Sequence, residues 1–73
     1  MVDSKWMDKF LDIADAFGPI YGPEYTARAD YSHVQLEYNG QPGVSLKVPH
    51  GEDVAEYAAE VNRRLEARKT GEQ

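Results

Sequence analysis

The sequence predicts a small α+β domain in which a helix, a three-stranded antiparallel meander and a second helix follow one another along the chain. Apolar residues recur at helical spacing near both ends, they alternate with polar residues in the middle, and turn-forming dipeptides separate these stretches. Because each element buries one apolar face, we expect two layers with both helices on the same sheet face. The 73 residues have room for a single domain, 1–73.

The first segment is predicted to form an amphipathic helix over about residues 4–17. Asp3 or Ser4 can cap its start. Gly18 followed by Pro19 predicts its end, because glycine tolerates the left-handed conformation and proline lacks the amide hydrogen that continues a helix. The apolar stripe comprises Trp6, Phe10, Ile13, Ala14 and Phe17.

Three strands are predicted over residues 25–31, 33–38 and 44–48, where apolar side chains occupy every second position. Residues 39–43, which contain Asn-Gly, are a strong hairpin signal because this dipeptide supplies the positive φ angles of a tight turn. The expected inward side chains are Tyr25, Ala27, Ala29 and Tyr31, then Val34, Leu36 and Tyr38, then Val44, Leu46 and Val48.

The last helix is predicted over about residues 52–68, followed by a frayed tail, 70–73. Its acidic first turn suits the positive end of the helix dipole, and the basic residues near its end suit the negative one. We interpret those basic residues as complementing the helix dipole. They are Arg63, Arg64, Arg68 and Lys69.

Composition excludes several classes of protein. With 8 Lys+Arg against 13 Asp+Glu, a net charge of -5 does not favour direct binding to nucleic acid. The absence of cysteine removes disulfides and thiolate metal sites. No stretch is apolar enough to span a membrane, and the N-terminus lacks the pattern of a secretory signal, so we expect a cytoplasmic protein.

Catalytic and metal chemistry have few candidates. His33 and His50 are the two imidazoles, and neither lies in a recognised spacing of metal ligands. Ser32 precedes His33, but successive side chains of an extended segment point to opposite faces, so we expect no pairing. We therefore expect no enzyme, cofactor or metal. A small metal protein or enzyme using one of the histidines is the third hypothesis.

Acidic residues at helical spacing are the clearest functional signal. Like charges four residues apart repel each other, and a feature that costs stability invites a functional explanation. Two tyrosines beside Gly-Pro dipeptides are further candidates, as half-exposed binding residues or as side chains that close the core. The candidate partner-binding residues are Asp8, Asp12, Asp15, Tyr21, Tyr25, Glu52, Glu56 and Glu60.

These observations favour a non-enzymatic binding module that acidic rows would steer onto a basic surface of a larger protein. An inhibitor that occupies a nucleic-acid-binding surface is the most specific version. In size and charge the chain is similar to many phage-encoded inhibitors of bacterial defence complexes, such as anti-CRISPR proteins, although no motif identifies a family. The alternative is a structural or self-assembling subunit, including a homodimer, because exposed sheet edges can pair.

Overall fold

A computed structural model of the chain describes residues 2–21, 25–38 and 40–69, the side chains of residues 17–21 and 69 excepted. Over these residues it has the predicted α+β architecture, with a single antiparallel sheet in the order β1-β2-β3. The predicted frayed tail, 70–73, lies outside the described residues. The elements are α1 (Ser4–Tyr21), β1 (Thr26–Asp30), β2 (His33–Tyr38), β3 (Gln41–Lys47) and α2 (Val54–Lys69).

Helix α1 begins as predicted and ends later than predicted. The Asp3 carboxylate caps it, accepting hydrogen bonds from the backbone N–H groups of Lys5 at 2.9 Å and Trp6 at 3.4 Å. The expectation that Gly18 and Pro19 stop the helix is wrong, because it continues to Tyr21. Proline so near a C-terminus costs one backbone hydrogen bond, which the remaining contacts of the helix can offset.

The β2–β3 connection is shorter than the predicted loop over residues 39–43. Tyr38 pairs with Gln41, which leaves two residues between the strands, and Gly40 has the positive φ of 77° that a tight turn requires. Strand β3 therefore starts three residues earlier than predicted, and a register shift between Gln35 and Glu37 absorbs the difference.

Gly43 lies at this irregularity. A Cβ atom at that position would approach the Leu36 carbonyl oxygen to 3.0 Å, so the close approach of the two strands favours glycine there.

The predicted β1–β2 boundary is wrong by one residue, and two side chains change environment with it. Asp30 pairs with His33, so Tyr31 and Ser32 form a two-residue turn. Tyr31 was expected to face the core but is exposed, and so is Ala29. Tyr31 lies in the turn, beyond the last paired residue of β1, where the sheet cannot bury its side chain.

Both helices contribute to one core together with the inner face of the sheet, as predicted. Val34 and Leu36 of β2 are two residues apart and therefore point to the same face, which the helices cover. The buried side chains are Trp6, Met7, Phe10, Leu11, Ala14, Tyr25, Ala27, Val34, Leu36, Val48, Tyr57, Ala58, Val61 and Leu65. Neither helix in the described part of the chain is long and apolar enough to cross a membrane.

The two helices start at the same end of the domain. The Asp3 backbone N–H donates to the Tyr57 hydroxyl at 2.9 Å, and that hydroxyl donates to Glu52 Oε1 at 3.1 Å, which joins the first turns of α1 and α2. At the opposite end, Arg68 of α2 forms an ion pair with Asp15 of α1. The helices are therefore side by side and parallel.

The β1–β2 turn belongs to the same end as the helix starts. The Trp6 indole N–H, on the first turn of α1, donates to the Lys47 carbonyl at 2.7 Å. The next residue, Val48, donates its backbone N–H to the Ser32 carbonyl at 2.8 Å. We call this end of the domain, with the helix starts and the turn at residues 31–32, the N-terminal end. The C-terminal end has the helix ends and the connection between β2 and β3.

Candidate functional site

Exposed carboxylates are concentrated at the N-terminal end. They come from the first two turns of α1, the residue before the β1–β2 turn, and the start of α2. Lys5, Lys9 and Lys47 also lie in this region, so the described side chains, six carboxylates minus three ammonium groups, have a net charge of about -3 there. The six exposed residues are Asp3, Asp8, Asp30, Glu52, Asp53 and Glu56.

The predicted acidic row on the last helix, formed by Glu52, Glu56 and Glu60, is broken at both ends. Helix α2 starts at Val54 and not at residue 52, because Asp53 caps it through a 3.0 Å hydrogen bond from the Ala55 N–H. Glu52 precedes the helix and accepts the hydrogen bond from Tyr57. Glu56 is exposed on the first turn.

Two of the predicted carboxylates are neutralised by arginines. Glu60 forms ion pairs with Arg63 and with Arg64, the latter at 2.8 Å, and Asp15 pairs with Arg68. These contacts give the basic cluster near the C-terminus a role in pairing as well as in complementing the helix dipole. An ion pair has little net potential at a distance, so this part of each row contributes little to long-range attraction.

Asp8 and Asp12 lie on the outer face of α1, and both are exposed. Within the residues that the structure describes, neither forms an ion pair. Their negative charge is therefore directed into solvent, four residues apart on one helix face. With Glu52 and Glu56, they are the members of the predicted set that remain candidates for contact with a partner.

The two predicted tyrosines do not extend this surface. Tyr25 is buried, its hydroxyl donates to the Ala14 carbonyl, and its ring meets that of Tyr38 edge to face with centroids 6.3 Å apart. Burial, with the nearby Asp15 carboxylate, raises the pKa of Tyr25. This supports the alternative that Tyr25 closes the core. The Tyr21 side chain lies outside the described residues.

Tyr57 is the second buried tyrosine with a perturbed pKa. Burial is the largest cause that raises the pKa of Tyr57. The hydrogen bond and charge of Glu52 raise this pKa further, while the hydrogen bond from the Asp3 backbone lowers it. The neutral phenol both accepts and donates at this position. It therefore fixes the acidic starts of the two helices relative to each other.

Sequence reasoning missed Tyr31. This residue is 97% exposed at the tip of the β1–β2 turn, with a φ of 55°. Its place in the turn follows from the strand register, in which Asp30 pairs with His33 and leaves two residues between the strands. The regular alternation that ran through Tyr31 concealed it.

The open face of the sheet is polar and balanced in charge. Arg28 forms a 3.2 Å ion pair with Glu37 and donates to Gln35 at 3.3 Å. Ser32 Oγ and His33 Nδ1 are 3.4 Å apart, contrary to the expectation that they cannot approach, because Ser32 lies in a turn and not in an extended strand. Among the described residues, no three His, Cys, Asp or Glu side chains are grouped to hold a metal ion.

Side chains from the helices cover part of each sheet edge. The Ala27 N–H donates to Asn62 Oδ1 at 2.8 Å, and Asn62 Nδ2 donates to the Ala27 carbonyl at 2.9 Å, so α2 occupies outward-facing groups of β1. On β3, Trp6 occupies the Lys47 carbonyl, and Pro42 has no N–H to offer. Covered edges of this kind oppose pairing with another strand.

An open apolar groove of about 280 Å³ lies toward the C-terminal end, on the side of the sheet that the helices cover. Its described lining consists of Tyr25, Leu36, Tyr38 and residues 41–44, none of which is charged. The groove is therefore separate from the carboxylates of the N-terminal end.

No protein-family model matches the chain, and it has no significant match among curated proteins or solved structures.

Proposed function

We propose that the protein is a non-enzymatic binding module that docks on a basic surface of a larger protein through the carboxylates of its N-terminal end and of the outer face of α1. One observation carries this proposal: exposed carboxylates lie together there, whereas Asp15 and Glu60 nearer the other end are paired with arginines. The molecule therefore has one end with excess negative charge and another that is close to neutral.

Such a distribution orients the protein as it approaches a cationic partner. Charges that are exposed to solvent act over about 8–10 Å at physiological salt. Over that range, Asp8, Asp12 and Glu52 attract lysine and arginine side chains, while neutralised pairs do not. Complementary charge raises the association rate and disfavours acidic partners.

Basic surfaces of this kind are typical of proteins that bind nucleic acids. A compact acidic domain on such a surface would compete with the phosphate backbone. We therefore propose an inhibitor of a nucleic-acid-binding protein as the most specific function. A cytoplasmic location is part of this proposal, since partners of this class work there.

Hydrogen bonds between the elements hold the frame that presents the carboxylates. Buried Tyr57 links the starts of α1 and α2, and the Trp6 indole ties α1 to the end of β3. A site held in place by such hydrogen bonds loses less conformational entropy when it binds than a site without them.

A matched pair of double variants tests the proposal. Asp8→Asn with Asp12→Asn removes two exposed carboxylates, and Asp15→Asn with Glu60→Gln removes two that are already paired. Both change the net charge equally. The probe is the set of proteins from a lysate of the source cells that a DNA column retains, applied to the immobilised protein with and without a DNA oligonucleotide as competitor.

We expect capture to be reduced by the oligonucleotide and by raising salt from about 50 to about 500 mM, which shortens the Debye length severalfold. The Asp8 and Asp12 variant should lose more capture than the Asp15 and Glu60 variant. Equal losses of capture in the two variants would show that capture depends on net charge alone and would contradict a role for the exposed carboxylates in particular. Capture that is unchanged across the salt series would contradict electrostatic docking altogether.

The alternative of a self-assembling subunit has less support. Edge pairing needs free backbone groups, and Asn62 and Trp6 occupy such groups on β1 and β3. Sedimentation at two concentrations tests this alternative, which predicts a mass that rises with concentration.

A further inference from the structure

Tyr31 combines two unfavourable properties. Its φ of 55° lies in the left-handed region, where a bulky side chain is a rare outlier. Its side chain is also 97% exposed, so the ring gains almost no burial from the fold. Among the described residues it is the one large apolar side chain left exposed. Neither property helps the protein to fold.

The surrounding structure holds the strained residue in place. Asp30 pairs with His33 on either side of the turn, and the Ser32 carbonyl accepts a 2.8 Å hydrogen bond from the Val48 N–H. The turn needs a positive φ at this position, and glycine or asparagine would supply it with less strain. Strain that is kept in a rigid position is typical of functional sites.

We propose that Tyr31 is a binding anchor, meaning a side chain that becomes buried in a pocket of the partner. This inference rests on the proposed function and extends it. The partner is a protein with an apolar pocket of the size of one aromatic ring, beside the basic surface that the carboxylates contact. Tyrosine suits this role because it brings a large contact area and a polar tip at a low cost in entropy.

Charge favours a protein over a nucleic acid as the partner. The exposed Asp30 carboxylate is the neighbour of Tyr31, and five further carboxylates lie at the same end. A base could stack on the exposed ring, but its phosphates would meet this negative charge. Basic side chains at the rim of a protein pocket would be attracted by it.

The first experiment measures thermal unfolding of three variants of the full chain. Tyr31→Gly and Tyr31→Asn relieve the strain, and we expect the melting temperature to rise by about 4–8 °C for the more favourable of them. Tyr31→Ala removes the ring and keeps the strained backbone, so its melting temperature should be close to that of the wild type. If all three variants melt lower than the wild type, the ring supports the fold and the proposal is wrong.

The second experiment tests contact with a partner. A photoreactive phenylalanine analogue replaces Tyr31, and in a control protein it replaces Lys47, which is exposed at the same end of the domain. Both proteins are irradiated in a lysate of the source cells. We expect at least about tenfold more covalent protein adduct from position 31. Equal yields, or an adduct with nucleic acid in place of protein, would overturn the proposal.

Competition separates this inference from the proposed function. Excess wild-type protein should suppress the adduct, and Tyr31→Ala protein should need about a tenfold higher concentration to do so. If Tyr31→Ala protein competes as well as the wild type while capture still falls with salt, the proposal that Tyr31 is an anchor is wrong. The proposal of electrostatic docking is then retained. If the adduct forms equally at about 50 and about 500 mM salt, docking by charge fails and the anchor stands.

Discussion

The two hairpin turns of the sheet solve the same geometric problem with different residues. Each connects neighbouring antiparallel strands through two residues and needs a positive φ. At the C-terminal end the sequence provides Asn-Gly, and Gly40 adopts a φ of 77°. At the N-terminal end a tyrosine adopts a φ of 55° with its ring in solvent. The turn with Gly40 follows the backbone preference of its residue, and the turn with Tyr31 opposes it.

The charges of the domain divide in the same way. The arginines of α2 neutralise Asp15 and Glu60, while the carboxylates at the helix starts are exposed. At the C-terminal end the carboxylates of Asp15 and Glu60 are paired and the turn contains a glycine. The N-terminal end has a strained turn, an exposed ring and excess negative charge. In natural proteins such local conflicts are expected where function requires them. Four changes test how far this comparison holds.

Loss of the Asn62 amide should have the largest effect, because it removes two hydrogen bonds that join β1 to α2. Asn62→Ala leaves the outward N–H and carbonyl of Ala27 without their two hydrogen bonds. We expect a loss of about 1–3 kcal/mol in the free energy of unfolding. Urea denaturation measures this. A loss below about 0.5 kcal/mol would show that water replaces the amide at no cost.

Placing a tyrosine in the second turn should cost nearly as much. A Cβ atom at Gly40 has no neighbour within 4 Å, so Gly40→Tyr changes the backbone preference without a clash. We expect a loss of about 1–2 kcal/mol. Gly51→Ala is the control for adding a side chain at a positive φ, because Gly51 has a φ of 86° and its Cβ would also have no neighbour within 4 Å. If Gly40→Tyr is neutral, strain at Tyr31 is not the penalty that we infer.

Removal of the Tyr57 hydroxyl should reduce stability by about 1 kcal/mol at neutral pH, because one buried link between the helix starts is lost. Burial raises the pKa of Tyr57 in the folded state. Its contribution is therefore complete below the pKa of an unfolded tyrosine, about 10, and is lost as pH rises through the higher folded pKa. Stability measured from pH 8 upward should fall less steeply in Tyr57→Phe. Parallel curves would contradict this explanation.

Breaking the ion pair between Asp15 and Arg68 should have the smallest effect. Both side chains are substantially exposed, so Asp15→Asn should cost about 0.5 kcal/mol or less. Chemical denaturation at low and high salt checks this, with Asp8→Asn as the control for loss of an exposed carboxylate. A larger cost for Asp15→Asn would mean that the pair fastens the helix ends rather than merely neutralising charge.

Periodicity was sufficient to predict the order of the elements and most of the core. It could not predict where α1 ends, because a proline in the last turn is tolerated when tertiary contacts outweigh one hydrogen bond. Nor could it predict that the Asn62 side chain forms hydrogen bonds with the backbone of β1, since this depends on contact between residues 35 positions apart. The alternation up to Tyr31 indicated burial, but the strand pairing ends one residue earlier.

The candidate site was predictable only as a list of charges. The sequence shows the spacing of Asp15 and Glu60 but not which arginine approaches each of them, because Arg68 reaches Asp15 from the other helix. It likewise shows Tyr25 beside a break in regular structure without showing its ring in the core. Pairing and burial are properties of the folded chain, and pairing removed two of the six predicted acidic residues, Asp15 and Glu60, from consideration.

The position of Trp6 gives the protein a built-in optical reporter. It is the sole tryptophan of the chain, is buried, and lies edge to face with Tyr57 at a centroid distance of 4.7 Å. Its indole N–H donates a hydrogen bond to the backbone carbonyl of Lys47 in β3. Because one fluorophore contacts α1, α2 and β3, a shift in its emission records separation of any of these elements, without an added label.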